Sequence, residues 1–499
     1  MWAALALLLG LLSPAHAQTV FLRAPLPAPG SLRQSAFASV ARQGAIGCLN
    51  VAEPADLSDI VPLVPERLAA LLDGRARVVL IADRPPPGQL GLVALAGPGI
   101  PPGTLLRSPT TRTPGLIAAI DLTPAGRPLQ FLEVDDAVDA TERFAQRVAA
   151  TQAATVPVLS TYGVLAGIAL VLGLMAVLRP HATRAARAAL TLATGGTVAL
   201  LAIGIVPVSP PLLPVVFVVL SAALALAATG LARHRAIDAL LCLLVGSLLI
   251  DAARGAPLVA HSPLSGYYLA GIRYYGIGNE FMGLLIGAAL MSVPRRALVP
   301  MGFLVIAALG LPFFGANAGG AMSAAAGFAL LGRGRARWLG VVGAVVATAV
   351  LLALIDRLQP DSVQSHIGQA AGRGPGAWGA IVLGKLAMNA RLARAPGTLI
   401  ALAAVVPAAF LLVRGAIGQR VQQALAAAPD RAGRLPAALG AAGAALVFND
   451  SGIVAALLLL APVLVTVIET ALCASLPSIS EPSGSVSPPA MNTSSEPLP

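Results

Sequence analysis

Three short stretches of this chain set small residues beside amides, acids and hydroxyls: Gly278-Asn279-Glu280, the run GANAGG from Gly315 to Gly320, and Asn449-Asp450-Ser451. Each stands just before an apolar run, so each opens a helix whose first N–H groups lack intrahelical partners. Asn, Asp and Ser accept from such groups, and glycine lets the backbone turn or approach a ligand. A helix N-terminus also carries partial positive charge that suits phosphate or carboxylate. Three such ends brought together, with Gly278, Asn279, Asn317, Asn449 and Ser451 among their groups, would handle an anion. Singly, each reads as well as an ordinary helix cap.

Cations and acids stand nearby. Arg273 can grip a phosphate through two parallel N–H groups, Arg254 adds charge, and Lys385, the sole lysine, would act as a point charge. Tyr275, Asn389 and His366 complete the candidate binding set. Arg357 pairs as readily with Asp356 or Asp361, and Arg373 in its glycine-rich loop reads as solvated. A carboxylate at a membrane boundary is costly unless paired, and partial burial raises its pKa toward the range of a general base. Glu280 and Asp450 are therefore the candidate catalytic residues, with Asp251 as an alternative. Glu280 reads equally as a first-turn acid favoured by the helix dipole. His261 and His366 lack metal-ligand spacing, so no metal set is assigned and the cofactor stays unknown.

The elements that must position these residues are membrane helices. The chain has 499 residues, 57% hydrophobic and 11% charged, with a mean hydropathy of +0.82, far more apolar than a soluble domain. Its net charge of +11 lies in short arginine clusters between apolar runs, which read as topology signals and exclude nucleic acid as partner. Cys48, Cys242 and Cys473 have no paired spacing, so neither a disulfide framework nor a zinc site is expected. A short apolar start ending in Ala-His-Ala before Gln18 reads as a signal peptide over residues 1–17 or, since a basic n-region is missing, as an uncleaved anchor. Residues 18–156 are mixed in composition, with strand-like runs RVVLIAD (Arg77 to Asp83) and GLVALAGPGI (Gly91 to Ile100), and read as a small α/β domain.

About eleven apolar runs follow within a 157–474 transmembrane domain, near 158–178, 187–206, 213–232, 236–252, 279–294, 297–315, 318–332, 337–355, 396–414, 436–448 and 452–473. Threaded with the N-terminal domain outside, the inner turns collect Arg179, Arg184 and Arg187; Arg233 and Arg235; Arg295 and Arg296; Arg333, Arg335 and Arg337; and Arg414, Arg420, Arg431 and Arg434. The same threading sends the three polar helix starts, the Asp251–Glu280 loop, the Ile355–Gly374 loop and the Lys385 segment to the outer face. Pro375 to Gly397, interrupted by glycine and cations, reads as an interfacial or re-entrant helix with Lys385 and Asn389 on one face. Arg414 to Arg434 reads as a cytoplasmic amphipathic stretch, and the Ser/Pro-rich 475–499 segment as a disordered cytoplasmic tail.

The segment RSPTTRTPGLIAAIDLTPAG, Arg107 to Gly126, with RVVLIAD before it, resembles the C-terminal portion of alkaline-phosphatase/sulfatase-like domains. Asp83-Arg84-Pro85 stands where that family has a metal-binding Asp-His, and no nucleophile segment precedes it. The resemblance implies a truncated, metal-free domain suited to binding or scaffolding. The membrane half, with RYYGIGNEFMG, SHIG and NDSG, is similar to uncharacterised bacterial polytopic proteins that carry such a domain, which gives no chemistry.

The expected fold is mainly α: a polytopic helical bundle of about 11 transmembrane helices with a small N-terminal extracytoplasmic α/β domain, in a bacterial inner membrane. The expected partners are membrane lipid and a lipid-linked anionic substrate. The leading functional expectation is a cell-envelope transferase, glycosyl- or phosphoryl-, using a lipid-linked phosphate. The alternatives are a transporter or flippase for an anionic lipid or solute, and a non-catalytic scaffold of envelope assembly.

Overall fold

The computed structural model describes residues 19–50, 61–62, 68, 71–72, 77–82, 85, 89–122, 128–206, 208–265, 268, 274–332, 334, 337–358 and 375–475. The expected signal peptide, Asp83-Arg84, Arg273, His366 and the tail beyond residue 475 lie outside the described residues.

The N-terminal part is one mixed sheet. Its strands are β1 (Thr19–Ala24), β2 (Gly44–Asn50), β3 (Val61–Pro62), β4 (Arg77–Ala82), β5 (Gly91–Ala96), β6 (Thr104–Arg107), β7 (Leu116–Ala118) and β8 (Gln130–Leu132). The order is β3-β1-β4-β5-β2-β6-β8, with β7 paired to β2. The runs RVVLIAD and GLVALAGPGI become the neighbouring antiparallel strands β4 and β5, Val78 opposite Ala96. Both are continuously apolar because both faces are covered. Val78 and Leu80 share one core with Phe37 and Val40 of helix α1 (Ala36–Arg42), whereas Val79 and Ile81 pack with Val93, Leu49 and Ile117 on the other face. That split is the two-residue period of a strand.

Helix α2 (Ala137–Leu178) begins where Asp136 accepts from Asp139 N at 2.9 Å, and Arg33 pairs with the same carboxylate. Its 42 residues at about 1.5 Å each make a rod of about 63 Å, twice a bilayer's hydrocarbon core. The polar first half carries Thr141 and Val148 buried within the domain side, and the apolar second half enters the bundle. The helix runs unbroken through residues 156 and 157. Sheet and bundle are therefore joined by a continuous helix.

The remaining helices are α3 (Thr183–Ala202), α4 (Leu213–Ala232), α5 (Ala236–Ala253), α6 (Pro257–His261), α7 (Asn279–Ser292), α8 (Leu298–Gly310), α9 (Ala318–Ala329), α10 (Arg337–Arg357), α11 (Pro375–Ala393), α12 (Pro396–Val413), α13 (Gly415–Ala427), α14 (Pro429–Ala432), α15 (Leu435–Phe448) and α16 (Gly452–Ala474). Among the described residues, six helical segments are long and apolar enough to cross a membrane: 137–178, 180–205, 210–253, 337–355, 396–413 and 452–474. The third is a hairpin, since Arg233 takes φ +49° between α4 and α5 and the two pack on each other.

Among the described residues the expected count of about eleven is not confirmed: α7, α8, α9 and α15 have 14, 13, 12 and 14 residues and are not among the six candidate spans. At about 1.5 Å per residue they measure about 18–21 Å, against a core of about 30 Å. Of the four, α8 departs furthest from its expected run, 297–315. Leu311 to Ala316 is apolar enough to continue α8, yet folds back: Gly315 N donates to Ala308 O at 2.7 Å and Asn317 N to Leu309 O at 2.7 Å.

Helix α7 is the bundle's core, buried along nearly its whole length. It lies directly on α16, where a Cβ on Gly283 would stand 2.3 Å from Ala455 O and one on Gly287 2.2 Å from Leu459 O. Small residues four apart let two backbones meet without side chains between them.

The arginine-bearing turns gather at the end remote from the sheet. Arg434 Nη1 donates to the carbonyls of Leu290, Met291 and Val293, closing the C-terminus of α7. Arg420 on the amphipathic α13 donates to Val177 O at the end of α2, and Arg187 to His234 O. Arg431 reaches both Asp238 at 2.9 Å and Glu469 at 3.5 Å, with Arg187 3.7 Å from the other oxygen of Glu469.

A candidate polar site where three helix ends meet

The three polar stretches singled out in the sequence do converge. Asn279, the first residue of α7, is buried and turns its amide sideways. Its Nδ2 donates to Asp450 Oδ1 at 2.7 Å and to Ser451 Oγ at 2.5 Å, and its Oδ1 accepts from Asn317 Nδ2 at 3.0 Å. Asn317 caps α9 by accepting from Gly320 N at 2.8 Å, while its Nδ2 also donates to Ile277 O at 3.0 Å. Amides thus run from one helix end to the next. Gly276, at φ +78°, makes the approach possible, for a Cβ there would stand 2.1 Å from Gly315 O.

A second strand of contacts comes from α11. Lys385 Nζ donates to Phe448 O, and Asn389 donates to Asn449 O at 3.2 Å while accepting from Ile453 N at 2.9 Å. Lys385 and Asn389, four residues apart, both reach the α15–α16 turn, so α11 lies against this end of the bundle and is not among the candidate spans. Asn449 is buried, donating to Ser323 Oγ at 3.3 Å and Ala445 O at 3.2 Å.

The candidates separate by what they have left to offer. Asn279, Asn317, Asn389 and Asn449 are engaged with backbone and with one another. Asp450 is exposed at the lip, its Oδ1 also accepting from Ser451 N at 3.0 Å, and it exerts an attraction on the Lys385 charge. Glu280 is half-buried in the first turn of α7, and Gly278 is that helix's N-cap. Arg254 sits exposed at the end of α5, without a hydrogen bond to the cluster among the described residues. Asp251, the alternative base, is committed to structure: it caps α6, accepting from Leu258 N at 2.9 Å and Val259 N at 3.0 Å.

The sheet domain closes over this end. Thr113 Oγ1 donates to Tyr274 O at 3.3 Å, Asn50 Nδ2 donates to Tyr268 O, and the Arg112 guanidinium lies 4.0 Å from the centre of the Tyr275 ring. Burial pushes the Tyr268 and Tyr274 hydroxyls up to about 12. His261 is buried edge-on to Phe144 and Tyr268, with Nδ1 against Pro257 O at 2.9 Å and Nε2 lacking a partner among the described residues. Burial holds its pKa below the ordinary value; the contact with Pro257 opposes this and the Arg147 charge adds to it.

Two groupings are not anticipated in the sequence. One is the buried Glu469 with Asp238, Arg431 and Arg187 at the remote end; an acid inside a 23-residue apolar helix is the signal that marks it. The other is Arg107 and Arg112, which in the sequence stand out only within the phosphatase-like segment.

Searches of family models, of curated proteins and of solved structures return no match to this chain.

Proposed function

We propose that this protein is a cell-envelope transferase that takes a lipid-linked phosphate substrate at the end of the bundle covered by the sheet domain. The observation that carries the reading is the meeting of three helix starts at one place with, among the described residues, a single exposed carboxylate of these helix starts, Asp450, beside the sole lysine. In this reading Asp450 removes the proton from an acceptor hydroxyl as that oxygen bonds to the sugar carbon. The sugar–phosphate bond breaks, and its electron pair leaves with the lipid phosphate, steadied by the Lys385 charge and the helix-start dipoles. The amide relay fixes Asp450 in place.

The topology belongs to the same proposal. Counting α4 and α5 as separate passes and letting the four short helices cross with their loops recessed restores eleven passes. The arginine-rich end then faces the cytoplasm and the sheet domain lies outside, in a bacterial inner membrane, after removal of residues 1–17. The phosphatase-like segment is then a binding module without its own metal chemistry.

A transporter reading has one specific observation in its favour: α7 and α9 are too short to span, so their polar starts lie below the surface, as on broken transporter helices. The two readings part in a deletion strain. The transferase reading expects a lipid-linked glycan precursor to accumulate and a modified envelope glycan to vanish, with vesicles of the strain still moving the precursor across the bilayer. Unchanged lipid and glycan profiles would overturn it, and loss of translocation alone would favour the transporter.

A further inference from the structure

Between the sheet domain and the α8–α9 loop lies a cavity of about 230 Å³ whose lining includes Arg107, Ser108, Gln130, Arg112, Pro312 and Phe313. No carboxylate is in that lining among the described residues. Two arginines lining one space place positive charge there, and an anion between them would offset it. We infer that this cavity is a binding site for a phosphate ester, held by Arg107 and Arg112.

The turn that presents Arg112 is firmly built. Arg112 takes φ +55°, a conformation non-glycine residues rarely adopt. It is kept there by its own N donating to Ser108 O at 2.8 Å, by Thr111 N donating to Ser108 Oγ at 3.1 Å, and by Thr111 Oγ1 donating to Leu116 O at 2.5 Å. The guanidinium is then pinned twice, stacked on Tyr275 and donating through Nη1 to Pro312 O at 2.5 Å. A guanidinium has five N–H donors, so the others remain for an oxyanion. Arg107, at the end of β6 and half-buried, has no side-chain partner among the described residues.

Size and surroundings narrow the ligand. Sites for drug-sized molecules hold about 300–1,000 Å³, so this one suits a head group rather than a whole nucleotide. Phe313 in the lining is exposed and meets Phe314 edge-on, and Leu304, Phe303 and Val299 are exposed successively further along α8. A phosphate in the cavity can therefore carry an alkyl or prenyl chain that lies along α8. The site deepens the transferase proposal and rests on it for the role of the ligand, since Tyr275 under Arg112 stands three residues before Gly278.

The test is binding by the full-length protein in nanodiscs of zwitterionic lipid, followed by thermal protection and by native mass spectrometry. The probes are a short-chain prenyl monophosphate, dihexanoyl phosphatidic acid and inorganic phosphate. Saturable binding of any of the three, weakened at least tenfold by Arg107→Gln and by Arg112→Lys, supports the site; the tighter-bound probe identifies the phosphate as lipid-borne or free. Arg107 makes no hydrogen bond or ion pair with the bundle among the described residues, so Arg107→Gln keeps the test open should Arg112→Lys misfold. No saturable binding, or equal binding by wild type and Arg107→Gln, overturns it. Asp450→Asn separates the two ideas: binding retained with activity lost supports both, while binding and activity both retained leaves the site standing and removes the transferase.

Discussion

The two ends of the bundle use opposite chemistry to finish their helices. At the end remote from the sheet, arginines donate to helix C-terminal carbonyls and to the acids Asp238, Glu469 and Asp430. At the covered end, side-chain amides link one helix start to the next, and one carboxylate is left exposed. Cations suit helix C-termini, and short oxygen-bearing side chains suit N-termini. What differs is the remainder: at the remote end Asp238 and Glu469 are paired with arginine, whereas the covered end keeps Asp450 open and has Arg107 and Arg112 alongside. The first arrangement holds the bundle together, and the second has chemistry to spare.

Arg431→Ala tests the closed end most severely. It leaves Glu469, 1% exposed, without one of its two cations and Asp238 without its partner. Breaking a buried pair costs about 3–5 kcal/mol; with Arg431 itself about a quarter exposed, a loss of about 3 kcal/mol is expected in unfolding of the purified protein. A change below about 1 kcal/mol would show that the remote network is no fastening.

Asn279→Ala should cost less, about 1–2 kcal/mol, by leaving the buried Asn317 amide short of an acceptor. Function should fall much further than stability, because Asp450 loses the amide that orients it. Equal loss in both assays would make the relay mere packing and erase the contrast between the ends.

How much of this contrast the sequence carries follows from what each signal depends on. Arginine in a polar turn is read from the turn alone, so the loops from Arg179 to Arg434 could be assigned to one end. Glycine beside asparagine likewise marks a helix start locally, and β4 and β5 show as unbroken apolar runs. Which amide bonds to which is a tertiary matter: nothing near Asn279 in the chain names Asp450, 171 residues away. The end of α8 is misplaced for a related reason, since Leu311 to Ala316 is apolar yet turns on backbone hydrogen bonds to Ala308 and Leu309. Glu469 was legible, as a lone acid in an apolar helix, but its partners were not.

Acid should loosen the cover before it harms the remote end. His261 has its pKa held below the usual value of about 6.5, so its neutral form contributes stability above that value, and the contribution is lost as pH falls through the folded pKa. The charged and titratable groups around it are Arg147, on α2, and Tyr268. Hydrogen exchange of β2 and of the 112–115 turn should therefore rise below about pH 6 in the wild type, and His261→Phe should flatten that rise.

The smallest effect belongs to Arg295→Ala. Its pair with Asp430 is more than half exposed on both sides, and such pairs contribute about 0–1 kcal/mol. Thermal stability and complementation should both stay near wild type, which makes this variant the control for the remote end.

Asp450→Asn puts the central claim to the most direct test, because the replacement keeps an oxygen for the Asn279 amide and removes only the charge. The measurement is complementation of a deletion strain at matched protein level, with the melting temperature taken on the same preparations. The expected result is lost complementation with a melting temperature within about 2 °C of wild type. Full complementation at normal abundance would contradict the account, and the covered end would then be a second fastening.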